Sequence, residues 1–405
     1  MKAMRKVLLA TAVLLLLAAT GCEKKQSIPG VTDTEIKIGT TQPFSGPASS
    51  YATFGRSAAA YFEKINQEEG GIKGRKVNYI MYDDGYTPPK TVEQIRRLVE
   101  QDGVLMTFFT LGTPTNSAIW DYMNQMKVPH LFVATGASKW GDPQGHPWTM
   151  GWQPDYATEA AIYAKYILDH VPDAKIGILY QNDDYGKDYL HGFKKGLGDK
   201  AGQLVVKEQS YEVSDATIES QIVALRDSGA NVFFNITIPK FAAQAIRKSD
   251  EIGWKPLHLL NNVSSSIEAV LKPVGLEKAQ GIISSLFLRD PNDPQWAETQ
   301  EVKDYMDFMA KYNAEGNVKD LFNVYGYSAA QTLVHVLKAC GDDLSRENVM
   351  KQAASLHGLQ LPMTLPGITL STSPTDFYPM QSMQLAKFEG DRWVRFGEVL
   401  AAESQ

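Results

Sequence analysis

The strongest constraint on the fold of this chain is a regular alternation of short apolar segments with longer amphipathic ones. EIKIGTTQ (35–42) has the period-two pattern of a strand, and the next segment places Phe54, Phe62 and Ile65 on one helical face. The later run VLMTFFT is apolar throughout, as expected for a strand that is covered on both faces. Alternating strands and helices predict a parallel sheet with right-handed crossover connections.

The same alternation starts again near residue 156 and continues to about residue 262. Two long helices are predicted after residue 296, and QLAKFEGDRWVRFG near the C-terminus has the pattern of a β-hairpin with polar turn residues. A chain of 405 residues is long enough for two domains. We therefore expect an α/β protein with two doubly wound parallel-sheet lobes.

Composition and motifs argue against several function classes. The formal charge is −6, whereas nucleic-acid binding favours basic surfaces. The sequence has no HExxH, GxSxG or phosphate-loop motif, and the glycines of GLGDKAG have the wrong spacing for a dinucleotide-binding turn. The acidic pairs at 83–84 and 183–184 are interpreted as solvated or helix-capping residues. We expect no enzyme activity, no metal site, no cofactor and no nucleic-acid partner.

The N-terminus is typical of an exported protein. Three basic residues precede an apolar run at 7–17, which is too short for a bilayer core of about 30 Å. Ala19, Thr20 and Gly21 then precede Cys22, which resembles a bacterial lipobox, although the lipobox usually has Leu where Ala19 stands. We expect a signal peptide at 1–21, lipidation of Cys22 and a tether at 22–31. The alternative is ordinary cleavage after Gly21.

Two further expectations follow from this N-terminus. Removal of the signal peptide takes the formal charge from −6 to −9, because it removes three basic residues and no acid. If Cys22 is lipidated, Cys340 has no cysteine with which to form a disulfide, and it is predicted to be a small buried residue near a helix end.

Ligands of open parallel sheets bind beyond the carboxyl ends of the strands. Two such ends carry small and hydroxyl residues directly before a predicted helix: LGTPTNSA, with Gly112 and Thr113, and TGAS, with Ala137 and Ser138. Backbone N–H groups at helix N-termini attract anions, so the two corners predict a carboxylate site. The alternative is that these hydroxyls only cap their helices.

Aromatic residues near the same strand ends predict an apolar body for the ligand. Tyr185 follows a strand of the second lobe, and Tyr51 and Phe54 lie on the opposite side. Trp152 is also predicted near the cleft. The alternative for Phe54 is a position in the core, and the alternative for Tyr185 is packing against its own helix only.

Over nearly its whole length after residue 31, the chain resembles the Leu/Ile/Val-type periplasmic binding proteins, which are the substrate-binding subunits of ABC importers. The resemblance rests on IKIGTTQPFSGP, GGIKGRKV…YDD, LGTPTNSA, TGAS, DDYGKD and FFNITIP. It implies a type I periplasmic-binding fold with a three-crossing hinge. It places one lobe at 32–150 plus 286–365, and the other at 151–285 plus 366–405.

The resemblance also implies a site. The family's carboxylate-binding positions fall on the residues of the two corners above, and its stacking tyrosine falls on Tyr185. Amino-acid binders of the family hold the ligand's ammonium with a glutamate, but here that place is Asn261-Asn262. A further family tyrosine falls near Thr237 and Ile238, and Asn235 is also a candidate ligand-binding residue. Because an unpaired buried ammonium is unfavourable by several kcal/mol, we expect an aromatic or aliphatic acid without an amine.

The resemblance further implies ABC permease and ATPase partners, an exported monomer, and membrane contact through the lipid anchor alone. Two alternatives remain. In the first, the ligand is a branched-chain or other hydrophobic amino acid. In the second, the chain is a sensor or cell-wall regulator lipoprotein of the same fold.

Overall fold

The computed structural model describes residues 27–401, which form two α/β lobes, each built on one sheet. The first sheet has five strands in the order β2-β1-β3-β4-β5, and all of its strand pairs are parallel. The second sheet has seven strands in the order β12-β11-β10-β9-β8-β6-β7. Its strands β6 to β10 pair in parallel, and the antiparallel hairpin β11-β12 extends the sheet beyond β10.

The strands of both sheets, in chain order, are β1 Glu35–Gln42, β2 Lys76–Asp83, β3 Met106–Phe108, β4 His130–Val133, β5 Thr149–Gly151, β6 Ile176–Gln181, β7 Val205–Tyr211, β8 Val232–Ile236, β9 Leu257–Leu260, β10 Ile283–Leu286, β11 Ser382–Glu389 and β12 Arg392–Ala401. The main helices are α1 Ala52–Glu68, α2 Pro88–Arg96, α3 Thr113–Gln125, α4 Tyr156–His170, α5 Asp184–Leu197, α6 Glu219–Asp227, α7 Pro239–Glu251, α8 Gln300–Tyr312, α9 Leu321–Ala339 and α10 Arg346–Ala353.

The apolar periodicity predicted both the elements and their buried faces. Phe54, Phe62 and Ile65 lie on the buried face of α1, and every residue of β3 is buried. The predicted C-terminal hairpin is present as β11 and β12. The prediction of two α/β lobes with parallel sheets is therefore confirmed.

The chain crosses three times between the lobes. It leaves the first sheet after β5, returns after β10 so that α8 and α9 pack against α1, and enters the second sheet again at β11. The lobe boundaries at 150/151, 285/286 and 365/366 stay predictions. Among the described residues, no helix is long and apolar enough to cross a membrane.

Some local predictions were incomplete. Strand β5 and helix α10 were not predicted, since a three-residue strand shows no periodicity and α10 has few apolar residues. The pattern of GQLVVKEQSYE (202–212) predicts a strand, but its first three residues belong to a helical turn at Ala201–Leu204, and β7 begins only after that turn. The two acidic pairs do fix local structure: Asp183 caps α5, and Asp84 accepts hydrogen bonds from Tyr86 N and the Thr91 hydroxyl.

Candidate functional site

A cleft lies between the two lobes at the carboxyl ends of the strands and encloses about 630 Å³ of empty space, including the part that opens to solvent. The Tyr51 hydroxyl of the first lobe donates to the Val263 carbonyl of the second at 2.9 Å, so the lobes meet across the cleft. The cleft is lined by Tyr51, Phe54, Tyr86, Leu111, Gly112, Thr113, Ala134, Gln153, Tyr156, Tyr185, Ile238, Asn262, Val263, Leu286, Phe287, Leu288, Leu321, Phe322 and Tyr325.

The N-terminus of α3 forms one wall of the cleft. Gly112 precedes the helix with φ 97°, a conformation that strongly favours glycine. A Cβ atom at Gly112 would lie 2.4 Å from the ring of Tyr86, so this tyrosine packs directly on the glycine backbone. The positive end of the helix dipole therefore faces the cleft beside a tyrosine ring, and this arrangement suits an anionic group.

The hydroxyls near this corner do not cap α3. The structure gives the helix no side-chain cap. The Thr113 hydroxyl contacts that of Thr135 at 2.5 Å, and the Thr115 hydroxyl donates to the carbonyl oxygens of Leu111 and Gly112. The capping interpretation of the LGTPTNSA threonines is therefore wrong, and Thr113 lines the cleft with its hydroxyl paired to that of Thr135.

Aromatic rings from two helices form the apolar wall. Phe54 of α1 stacks on Tyr325 of α9, with ring centroids 4.5 Å apart and an interplanar angle of 3°. Phe322 meets Phe54 edge-on at 5.0 Å, and Tyr51 tilts against both. The Tyr325 hydroxyl donates to Gln153 Oε1. These interlocked rings form a rigid apolar surface of a kind that suits a planar or branched hydrocarbon group.

The second lobe supplies Tyr185 at the start of α5. The Asp183 carboxylate accepts hydrogen bonds from the backbone N–H groups of Tyr185 and Gly186, which fixes the beginning of the helix. The Tyr185 hydroxyl pairs with the Asn261 side chain at 2.5 Å, and the amide orientation that satisfies all partners also donates to the Asn235 and Thr237 carbonyl oxygens. Asn261 therefore supports Tyr185 from behind.

No described residue of the lining is an Asp, Glu, Lys, Arg or His. Among the acids behind the wall, Glu159 of α4 is 1% exposed. Its carboxyl group accepts hydrogen bonds from the Tyr163 hydroxyl at 2.8 Å, the Tyr189 hydroxyl at 2.6 Å and the Asn262 backbone N–H at 2.7 Å. Burial raises the pKa of Glu159 to about 7, although these hydrogen bonds lower it.

The structure brings six of the predicted site residues to the lining: Tyr51, Phe54, Gly112, Thr113, Tyr185 and Asn262. Six others lie outside it: Ala137, Ser138, Trp152, Asn235, Thr237 and Asn261. Trp152 is fully buried, and its indole N–H donates to the Thr332 hydroxyl. Asn235 pairs with His258 and with Thr237, behind the cleft wall.

The second corner, at Ala137 and Ser138, differs from the expected carboxylate site. A Cβ atom at Gly136 would lie 2.8 Å from the Tyr156 ring, much as one at Gly112 would lie close to the Tyr86 ring, so the two corners differ in their hydrogen bonds. Ser138 donates from its backbone N–H and its hydroxyl to Asp188 of α5. Its donors are therefore directed at an acidic side chain of the other lobe.

Several lining residues were not predicted from the sequence, among them Tyr86, Gln153, Tyr156, Phe322 and Tyr325. Tyr86 and Tyr156 follow strand ends, so the rule that located Thr113 could also have located them. Phe322 and Tyr325 lie within a helix far along the chain, and only the tertiary packing of α9 on α1 brings them to the cleft.

Within residues 27–401, no group of three or more His, Cys, Asp and Glu side chains is arranged to hold a metal ion. Cys340 is buried at the end of α9, as predicted. The predicted signal peptide and the predicted lipidation site, Cys22, lie outside the described residues.

The periplasmic binding protein family profile matches residues 35–392. The chain belongs to this family. Since its members are binding proteins, the prediction that the chain is not an enzyme is confirmed. The Leu/Ile/Val-binding protein homolog 1 of Brucella suis biovar 1 (strain 1330) is 26% identical to this periplasmic binding protein over 357 residues, covering 85% of the chain and 87% of the relative.

Solved structures share the fold of this periplasmic binding protein. A branched-chain amino acid ABC transporter protein from Thermus thermophilus with bound valine has a TM-score of 0.81 at 15% identity, covering 92% of this chain and 98% of that one. A fatty acid ABC transporter substrate-binding protein from Thermomonospora curvata has a TM-score of 0.75 at 23% identity, covering 95% and 97%. At such identities the similarity establishes the fold alone.

Proposed function

We propose that this periplasmic binding protein is the lipid-anchored substrate-binding subunit of an ABC importer and captures a small apolar carboxylate that has no amine. The ligand is an aromatic or aliphatic acid held between the two lobes. The main support for the proposal is the absence of any charged side chain from the described lining, which is mostly aromatic and aliphatic and includes three polar side chains, Thr113, Gln153 and Asn262.

An ammonium group in this cleft would lack an acidic partner. Four acids lie directly behind the lining and already accept hydrogen bonds from neighbouring groups: Glu159, Asp84, Asp183 and Asp320. Asp155 caps α4, and Asp184 pairs with Lys139. Burying an unpaired ammonium is unfavourable by several kcal/mol, so an α-amino acid would bind weakly.

A carboxylate does have suitable partners. The N-terminus of α3 and the Thr113 hydroxyl lie at one end of the cleft, and the stacked pair Phe54–Tyr325 lies in its apolar wall. Helix N-termini stabilise anions through their N–H groups and dipole. We therefore orient the ligand with its carboxylate at Thr113 and its hydrocarbon body against the rings.

The transport role and the anchor rest on similarity and on the N-terminal sequence. The relatives' names include Leu/Ile/Val binding and ABC transport, and we extend the importer role, with its permease and ATPase partners, to this chain. Cys22 is the proposed site of lipidation, which would hold an exported monomer at the membrane surface. A single acyl chain binds membranes only marginally, so stable anchoring of the chain would require more than one such signal.

Matched ligand pairs test the proposal. 3-Phenylpropanoate and 4-methylpentanoate are phenylalanine and leucine without the α-amine. We expect both acids to raise the melting temperature, because a ligand that binds the folded state stabilises it by mass action. The two amino acids, and 3-phenylpropanamide as a control without a carboxylate, should leave it unchanged. A shift with the amino acids and none with the acids would contradict the proposal.

A branched-chain amino acid is the alternative ligand, favoured by the similarity to the valine-bound structure. It would require an acid to engage the ammonium. We choose Glu159, which accepts a hydrogen bond from the backbone N–H of the lining residue Asn262, beside the place of the family's glutamate. In that case leucine should stabilise the wild type, and Glu159→Gln should abolish the effect.

A further inference from the structure

Two consecutive residues of the first lobe bind two aspartates of the second. Lys139 Nζ lies 2.6 Å from Asp184 Oδ2. The backbone N–H and the hydroxyl of Ser138 donate to Asp188 Oδ2 at 2.8 Å and 3.0 Å, and the hydroxyl also lies 3.3 Å from Asp155 Oδ1. Asp184 also accepts a hydrogen bond from the Ser117 hydroxyl at 3.2 Å. We call Ser138, Lys139, Asp184 and Asp188 the interlobe clasp.

The geometry of the interlobe clasp suits a contact that forms only when the lobes close. Asp184 and Asp188 are four residues apart, so they lie on one face of α5. Both belong to the helix that carries Tyr185, and neither they nor their partners line the cleft. Since the donors lie in one lobe and the acceptors in the other, separation of the lobes breaks every bond of the clasp.

We propose that Asp184 and Asp188 are affinity-determining residues that act by holding the lobes closed, without touching the ligand. The proposal goes beyond the proposed function and holds for any ligand that closes the cleft. A protein that binds through its closed state gains affinity in proportion to the population of that state. Loss of the clasp therefore weakens binding and speeds release.

The two halves of the clasp should differ in strength. Lys139 and Asp184 form a pair in which the Asp184 side chain is 58% exposed, and exposed ion pairs contribute little. Asp188 is half-buried and accepts two hydrogen bonds, one of them from a backbone N–H. Hydrogen bonds to charged groups are the stronger class. We expect a larger effect from Asp188→Ala than from either charge reversal.

A spin-label experiment measures closure directly. Labels are placed at Met126→Cys in the first lobe and Val206→Cys in the second, two exposed positions, in the full chain carrying Cys22→Ser. Cys340 is buried and is left in place. Interlobe distances are recorded with a saturating mixture of leucine, phenylalanine, 4-methylpentanoate and 3-phenylpropanoate, so that the result does not depend on which of them binds.

We expect the ratio of short to long distances to fall about threefold in Lys139→Glu and in Asp184→Lys. The double variant Lys139→Glu/Asp184→Lys should recover most of that loss, because it restores the pair with its charges exchanged. Asp188→Ala should lower the ratio roughly tenfold. The matched control is Lys194→Glu, which breaks a 2.6 Å ion pair with Glu208 inside the second lobe and should leave the ratio unchanged.

Three results would overturn the proposal. The first is a wild-type ratio in both single reversals and in Asp188→Ala. The second is a double variant whose ratio stays as low as that of the single reversals. The third is a wild type with no short-distance population in the presence of the mixture. If leucine alone closes the wild type, the proposed ligand class fails, while the clasp is still tested by the same variants.

Discussion

The buried carboxyl group of Glu159 should make stability fall as the pH rises from about 4.5 to about 7. Burial raises its pKa in the folded protein to about 7, against an ordinary value of 4.5. The folded state therefore favours the protonated acid, and this contribution is complete below pH 4.5 and is lost as the pH rises through 7. A shift of this size corresponds to a change on the order of 3 kcal/mol in the free energy of unfolding.

Glu159→Gln isolates this effect, because glutamine keeps the shape of the side chain and does not titrate. Urea unfolding followed by circular dichroism, at intervals from pH 4.5 to 8, gives the free energy of unfolding of each protein. The stability of the wild type relative to Glu159→Gln should decrease by on the order of 3 kcal/mol across this range. Glu63→Gln, at an exposed position on α1, should follow the wild type. Parallel curves for the wild type and Glu159→Gln would refute the argument.

Three further predictions concern the cleft and the anchor. Thr113→Val should weaken binding of the tightest amine-free acid by ~1–3 kcal/mol in calorimetry, because a hydrogen bond to a charged group is lost. Unchanged affinity would show that the carboxylate does not bind at Thr113. Gly112→Ala should also weaken binding, because its Cβ would lie 2.4 Å from the Tyr86 ring at a φ of 97°; an affinity equal to wild type would count against this wall of the site. Cys22→Ala should release the protein from the membrane fraction, and retention there with no acyl mass on the wild-type N-terminus would exclude the lipid anchor.

Local periodicity predicted most of the architecture because both sheets are built mainly from repeated strand–helix units. The buried stripe of α1 and the apolar strand β3 were evident from single segments. Strand β5 escaped prediction because it exists through pairing with β4, and three residues carry no pattern of their own.

The cleft was predictable where it follows strand ends and unpredictable where it depends on tertiary packing. Gly112, Thr113 and Tyr185 were found by that rule. Phe322 and Tyr325 were not, because α9 reaches the cleft only through its packing on α1. Ser138 also follows a strand end, but helix α5 of the other lobe lies close to it. Its backbone N–H and hydroxyl therefore donate to Asp188. A rule based on one lobe cannot include contacts that the other lobe supplies.

The central claim is that the cleft binds a carboxylate and rejects an α-ammonium. Isothermal titration calorimetry with 4-methylpentanoate and with leucine, which differ only by the amine, tests it most directly. The lining has no charged side chain among the described residues, so we expect the acid to bind at least about 100-fold more tightly, a difference of about 2.7 kcal/mol. Leucine binding at micromolar level or tighter, with 4-methylpentanoate binding more weakly, would contradict the claim.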